Sequence, residues 1–238
     1  MPTWIGSSPP AGRRPGRRRE RPGVLLMAVS WDGAVRRLLD LVVAATVLIV
    51  SSPVLLVAAV AVRVGSRGPI LYGAPRSGRE GREFRMWKFR TMVADAAAVG
   101  GPITAPGDPR ITRVGAILRK TKIDEVPQFA NVITGDMALV GPRPEDPGIV
   151  DRYTPRQRET LRVRPGVTSP GSLFYEREQV ATIPAGADAE EYYLEHLLGP
   201  KLDVELEYLE RRTVGSDLRV LADTVGHVLG ALLGRPRP

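Results

Sequence analysis

Hydrophobic positions are spread unevenly along the chain. Leu41 to Val62 is a run of twenty-two residues without a charge, and as one helix it would be about 33 Å long, enough to cross a hydrocarbon core of about 30 Å. Ser51-Ser52-Pro53 interrupts the run near its centre, where proline removes an amide donor and serine hydroxyls can satisfy the carbonyls that lose it. Arg36 and Arg37 precede the run, and Arg63, Arg67 and Arg76 follow it, so its cationic flanks favour neither direction of crossing. Both ends are drawn to the same side. The pattern therefore predicts a re-entrant membrane helix over residues 34–65, broken at Ser52-Pro53.

Residues 66–238 are punctuated by Gly and Pro and predict one compact cytoplasmic domain. Ile70-Leu71-Tyr72 and Phe84 to Phe89 read as short strands. Val114 to Lys122 and Glu125 to Thr134 read as short helices, the second closed by Gly135. Asp188 to Leu198 and Asp203 to Arg212 look helical, with a break at Gly199-Pro200. Asp217 to Leu233 puts Leu218, Leu221, Val225, Val228, Leu229 and Leu232 on one face after Ser216 as a cap. That face packs on the core by default and lies on a membrane surface if the protein is already held at one. The fold class expected is α/β of the α+β kind, mostly helical: a re-entrant hairpin plus a compact domain with short strands and amphipathic interfacial helices.

Charge changes the picture at the N-terminus. Residues 1–40 hold eight Arg against Glu20, Asp32 and Asp40, which is +5 of the net +8. Residues 1–33 are too charged and too rich in Pro and Gly to bury a core and read as a disordered basic arm. Val24 to Val29 is shorter than a secretory h-region of about 7 to 15 residues, so secretion is disfavoured, and Met27 stands where translation could begin. The chain has no Cys and two His, which excludes disulfides, thiolate metal sites and a cysteine nucleophile and disfavours zinc. A Walker loop, a dinucleotide fingerprint, a G-x-S-x-G elbow and an Asp-x-Asp clamp are all missing.

What remains is a concentration of cations and carboxylates between residues 88 and 166. Pro127 belongs in a first helical turn, which puts Asp124 and Glu125 at the electropositive start of the helix ending at Thr134. As structure, they are an N-cap and a first-turn acid. As chemistry, Asp124 is a reactive carboxylate and Glu125 a partner that holds a metal or steers a proton. Lys88, Arg90, Arg119, Lys120, Lys122, Arg143 and Arg164 accompany them. Pro142 and Pro144 fix the backbone around Arg143, and rigid arginines suit bidentate phosphate binding. Carboxylates able to hold Mg²⁺ beside fixed cations suit phosphoryl transfer.

The motifs Lys88-Phe89-Arg90-Thr91-Met92, Asp108-Pro109-Arg110-Ile111-Thr112, Lys122-Ile123-Asp124-Glu125-Val126-Pro127-Gln128, Asn131-Val132, Gly135-Asp136-Met137, Val140-Gly141-Pro142-Arg143-Pro144-Glu145 and Val163-Arg164-Pro165-Gly166-Val167-Thr168 resemble those of the bacterial sugar transferases, the monotopic phosphoglycosyl transferases that start glycan assembly on undecaprenyl phosphate. The resemblance spans roughly residues 34 to 225 and includes the Ser52-Pro53 break, which in that family belongs to a re-entrant helix. It implies transfer of a sugar 1-phosphate from a UDP-sugar to a polyprenyl phosphate, with release of UMP, at the cytoplasmic face of the bacterial cell membrane and with Mg²⁺. It makes Asp124 the nucleophile that forms a covalent aspartyl intermediate, and a Mg²⁺ ligand, with Glu125 beside it. Lys88, Arg119, Asn131, Arg143 and Arg164 match the family's substrate-binding positions.

The chain also departs from the family's pattern. Ala74 and Ser77 stand where Gln and Val are common, and Ser169-Pro170-Gly171-Ser172 replaces a commoner Gly-aromatic-Gln run. The large N-terminal membrane domain of some relatives is missing, so the expectation is a minimal form. Two other classes were weighed. A nucleic-acid-binding protein would use the arginine arm, but few aromatics and the long apolar run oppose it. A catalytically silent membrane scaffold would not need the complete set from Lys88 to Arg164. A homodimer is compatible with the sequence, and no residue requires one.

Overall fold

The computed structural model describes residues 22–96, 100–101, 103–104, 107–175, 183–184 and 188–233, without the side chains of 22–32 and 231–232. The expectation of disorder at residues 1–21 lies outside the described residues. Helix α1 runs from Pro22 to Gly65, so the end of the expected basic arm is helical instead. Pro22 is at the start, where a missing amide donor costs nothing. Among the described residues this helix is long and apolar enough to cross a membrane.

Helical structure continues through Pro53 rather than stopping there. The reason is local. Pro53 cannot donate to the carbonyl four residues back, at Ile49, and the Ser52 hydroxyl donates to that carbonyl at 2.8 Å instead. The Ser51 hydroxyl donates to the Val47 carbonyl as well. Most of the apolar middle faces no protein: Ile49 and Val50 are 71% and 73% exposed, Leu56 and Val57 67% and 70%.

Both ends of the apolar run, by contrast, are held by the rest of the chain. Strands β1 (Leu71–Ser77) and β2 (Glu83–Phe89) form an antiparallel hairpin, followed by α2 (Arg113–Lys120) and α3 (Gln128–Thr134). At the N-terminal end of the apolar run, Arg37 donates to the carbonyls of Val132 and Ile133 at the close of α3. Asp40 accepts from the Leu139 amide at 2.9 Å, and Ala44 is buried in a cluster with Ala74, Met86, Val132 and Met137. At the other end, Ala58 and Val62 pack with Phe89 and Leu118. The buried Arg90 guanidinium collects the carbonyls of Ser66 and Arg67.

Two further strands, β3 (Ala138–Val140) and β4 (Gly166–Thr168), pair in parallel. The sequence reading did not foresee them, because three residues are too few to show alternation. Helix α4 (Pro147–Asp151) lies between them in the chain, and α5 (Pro170–Phe174) follows. Next come α6 (Ala189–Tyr192), a π turn over Tyr193–Leu197, and α7 (Leu198–Glu210). The break expected at Gly199-Pro200 is absent, since Pro200 falls in the first turn of α7, where proline is tolerated.

Helix α8 (Val214–Leu232) starts earlier than expected. Thr213 is its cap: the Thr213 hydroxyl accepts the Ser216 amide at 3.0 Å and the Ser216 hydroxyl accepts the Thr213 amide at 2.9 Å, a reciprocal pair. Its anticipated apolar face is divided. Leu221 packs on the core beside Val220, which the expected face did not include, while Leu218, Val225 and Leu229 are more than half exposed.

Candidate active site

Asp124 and Glu125 do not stand in the first turn of an α-helix. They occupy a 3₁₀ turn, Ile123–Glu125, immediately before α3, whose N-cap is Pro127. Lys122 opens this turn in the left-handed region, φ 58°, a costly conformation for a side chain with a Cβ. The chain thereby turns sharply and buries Asp124, which is 7% exposed. Asp124 caps nothing, and its Oδ1 is buried with no hydrogen-bond partner among the described residues.

The two carboxylates are tuned in opposite directions. Burial pushes Asp124 up to about 6, with Glu125 adding to the effect and Arg119, Lys88 and Lys122 opposing it. Glu125 is desolvated too, but there Arg143, Lys122 and Lys88 prevail and hold it at about 2. The Arg143 guanidinium grips both Glu125 oxygens. Lys88 is lowered to about 8 by burial, with Arg76 and Arg119 contributing and Glu125 opposing. Neighbouring groups with separated ionisation are an arrangement suited to acid, base or nucleophilic work.

Of the cations singled out in the sequence, the structure thus gathers Lys88, Arg119, Lys122 and Arg143 at the dyad. Arg119 is fixed by donating to the Thr91 hydroxyl at 2.9 Å, and Lys88 lies over the Tyr72 ring at 5.6 Å. Arg164 is exposed, and its charge acts on Asp40 at the foot of α1. Asn131 is buried and spent on the fold: its Oδ1 accepts the Trp87 amide and its Nδ2 donates to the Arg85 carbonyl, both at 2.9 Å. Pro142 contributes its carbonyl to Gly166 at 3.0 Å, holding the Arg143 segment to β4.

A cavity of about 450 Å³ opens beside this cluster, lined by Tyr72, Arg76, Lys88, Arg119, Arg110 and Asp146 among others. Arg76 and Asp146 pair at 3.1 Å in its wall. Gln128, one turn beyond Asp124, is fully buried with neither side-chain polar atom partnered among the described residues. Reading the sequence for candidate residues passed over Gln128 and Arg76, since an amide after Pro127 and a strand arginine carry no chemical signature of their own. Among the described residues no three His, Cys, Asp or Glu cluster as a metal cage.

Comparison with known proteins points to a family. The family described as bacterial sugar transferase matches residues 31–231. The chain is 36% identical over 212 residues to the UDP-glucose:undecaprenyl-phosphate glucose-1-phosphate transferase of Caulobacter vibrioides, covering 88% of this chain and 74% of that one. It is 32% identical to the UDP-N-acetylgalactosamine-undecaprenyl-phosphate N-acetylgalactosaminephosphotransferase of Aeromonas hydrophila, covering 82% of this chain but 44% of that protein. With the exopolysaccharide production protein PSS of Rhizobium leguminosarum bv. phaseoli it shares 32% identity, covering 82% of this chain and 94% of the relative. Several relatives are thus more than twice the length that the chain spans, whereas others are nearly matched by it. A match over most of the chain, together with a dyad set among the cations that the motifs single out, places this protein in the bacterial sugar transferase family.

Proposed function

We propose that the protein transfers a sugar 1-phosphate from a UDP-sugar to undecaprenyl or another polyprenyl phosphate, releasing UMP, as an early membrane step in glycan assembly. The observation that carries this reading is the buried Asp124 oxygen, without a partner among the described residues and set among Arg119, Lys88 and Lys122, the first two of which line the cavity. Relatives whose names state that reaction support it. In the proposed chemistry an Asp124 oxygen attacks the sugar-bearing phosphorus. The bond from that phosphorus to the bridging oxygen breaks, and UMP leaves with the electron pair. A polyprenyl phosphate oxygen then attacks the same phosphorus and returns the Asp124 carboxylate.

Each residue's contribution follows from its setting. A carboxylate is a weak nucleophile, and orientation and neutralisation of the diphosphate make it competent. Lys88 and Arg119 supply that neutralisation from fixed positions. Glu125, held ionised by Arg143, keeps negative charge next to Asp124 and thereby helps keep Asp124 basic. The site also fits Mg²⁺, which binds through one or two carboxylates together with substrate phosphates. The orphaned Asp124 oxygen is a suitable donor, and a bound Mg²⁺ would supply further charge neutralisation at the phosphates.

The proposed location is the cytoplasmic face of the membrane, with α1 dipping into one leaflet and returning about Pro53. Contacts from one domain to Arg37 and Asp40 at one end, and to Val62 and Ser66 at the other, support this. One folded body cannot stand on both sides of a bilayer. The chain has no native Cys, so Ala34→Cys and Ser66→Cys can be probed singly. Both are expected to label from the cytoplasmic side of intact vesicles, and labelling from opposite sides would reject the topology. For the reaction, UMP release is measured across a panel of UDP-sugars with and without undecaprenyl phosphate. Asp124→Asn should abolish both turnover and the sugar-phosphate adduct seen by intact mass. Near-normal activity of that variant would reject Asp124 as nucleophile.

A further inference from the structure

Charge is distributed unevenly around the cavity beside the dyad. Arg76, Lys88, Arg90, Arg110 and Arg119 are the cations in its wall, and Asp146 is the one acid there among the described residues. Two of the cations are already spent, Arg90 on the carbonyls of Ser66 and Arg67 and Arg110 on Asp108 and the carbonyls of Ala96 and Gly101. Lys88 and Arg119, whose charges act on Asp124, suit phosphate oxygens. Lys88 pairs across the hairpin with Tyr72, and Arg76 stands four residues further along β1 on the same face. About 13 Å of strand therefore separates the phosphate-suited position from the Arg76–Asp146 pair.

That pair is firmly placed. Asp146 Oδ1 accepts the Gly148 amide at 3.1 Å as the cap of α4, and Oδ2 accepts from Arg76 Nη1 at 3.1 Å. The Glu145 carbonyl accepts the Ser77 amide at 3.0 Å, which ties the residue before Asp146 to the residue after Arg76. Glu145 is itself held by the Lys201 ammonium and by the Tyr193 hydroxyl, which donates at 2.6 Å. A carboxylate offers about four lone-pair sites, and Asp146 uses two of them among the described residues. Arg76 likewise uses Nη1 alone, for Asp146 and for the Pro75 carbonyl. An acceptor and a donor this close together match neighbouring hydroxyls on a ring, one donating to the carboxylate and the other accepting from the guanidinium. A phosphate, which only accepts, is repelled by the acid.

We propose that Asp146, held by Arg76, is the hydroxyl-recognising end of this cavity: it accepts from a vicinal diol of the UDP-sugar, on the transferred sugar or on the ribose, while the diphosphate meets Lys88 and Arg119. This rests on the reading that the cavity takes a UDP-sugar. A carboxylate that served only Arg76 and α4 would, when changed, weaken every such ligand by the same factor.

The test is a cycle between protein and ligand, read as binding by calorimetry in detergent. The probes are UDP-glucose, its 2-, 3- and 4-deoxy-glucose analogues, and its analogues lacking the ribose 2′- or 3′-hydroxyl; if another UDP-sugar of the panel is the one turned over, its deoxy analogues are used. Asp146→Asn keeps a competent cap for α4 and replaces one accepting oxygen with a donor. In wild type, loss of a recognised hydroxyl is expected to weaken binding about tenfold or more, and in Asp146→Asn the same loss is expected to cost less than about twofold. Coupling to a glucose hydroxyl assigns the pair to the transferred sugar, and coupling to a ribose hydroxyl assigns it to the nucleoside; either supports the proposal. An equal factor in both proteins for every analogue, or no binding of any UDP-sugar by wild type, would overturn it. Should Asp146→Asn fail to fold, Asp146→Ser, which also caps a helix, is read in its place with the same loss of coupling expected. Wild-type protein that binds UDP-sugars but releases no UMP from any of them would sink the transferase reading instead, and the binding cycle would still decide the role of Asp146.

Discussion

At Asp124, burial and function pull in opposite directions. Its carboxyl is raised from 3.8 to about 6 in the folded protein, so between those values the folded state holds a proton that the unfolded chain gives up. Stability therefore falls as pH rises through that window, by up to about 3 kcal/mol at roughly 1.4 kcal/mol per unit. Asp124→Asn removes the penalty, and calorimetry in detergent should show a higher unfolding temperature than wild type at pH 8 and little difference at pH 3.5. The rate has the opposite dependence on the same group. UMP release should rise with pH as Asp124 ionises near 6 and decline as Lys88, lowered to about 8, loses its charge, giving a bell-shaped profile. Gln128→Met, which replaces two unpartnered buried polar atoms with an apolar chain of similar volume, should raise the unfolding temperature by a few degrees, equivalent to about 1 to 3 kcal/mol.

Among elements, the junction between α1 and the hairpin depends on Arg90, whose buried guanidinium occupies the carbonyls of Ser66 and Arg67 at the end of the helix. Arg90→Met leaves those carbonyls without a donor and should destabilise the protein by about 2 to 4 kcal/mol, read as a lower unfolding temperature. The sequence placed Arg90 among the cations near the site but could not assign this duty, because its partners lie 23 and 24 positions away. Residues whose roles follow from near neighbours were the legible ones. The apolar run is visible from hydropathy, the hairpin from its β-formers, and the end of α3 from Gly135, which adopts φ 92° where glycine is favoured. The dyad was found, but its turn was mistaken for the helix itself, since Pro127 is compatible with either side of a helix start. Asn131 looks like a site residue in sequence and is a strut in space. The β3–β4 pair joins Ala138 to Gly166 and Val140 to Thr168, residues far apart in the chain, and leaves no periodic trace.

The whole molecule presents a polar body at the root of an apolar projection. The exposed middle of α1 and the exposed stripe Leu218, Val225 and Leu229 on α8 leave much greasy surface uncovered by protein. The protein should accordingly stay in the membrane pellet after washing with carbonate or high salt and be extracted only by detergent. Anchoring both ends of the apolar run in one body has a mechanical corollary on the re-entrant reading. Nothing then reaches for the opposite headgroups, so the height of the dyad above the lipid is set by protein contacts and not by acyl-chain length. Turnover in nanodiscs should therefore change little between thin and thick bilayers, whereas a true spanning anchor would have to tilt or stretch to follow them.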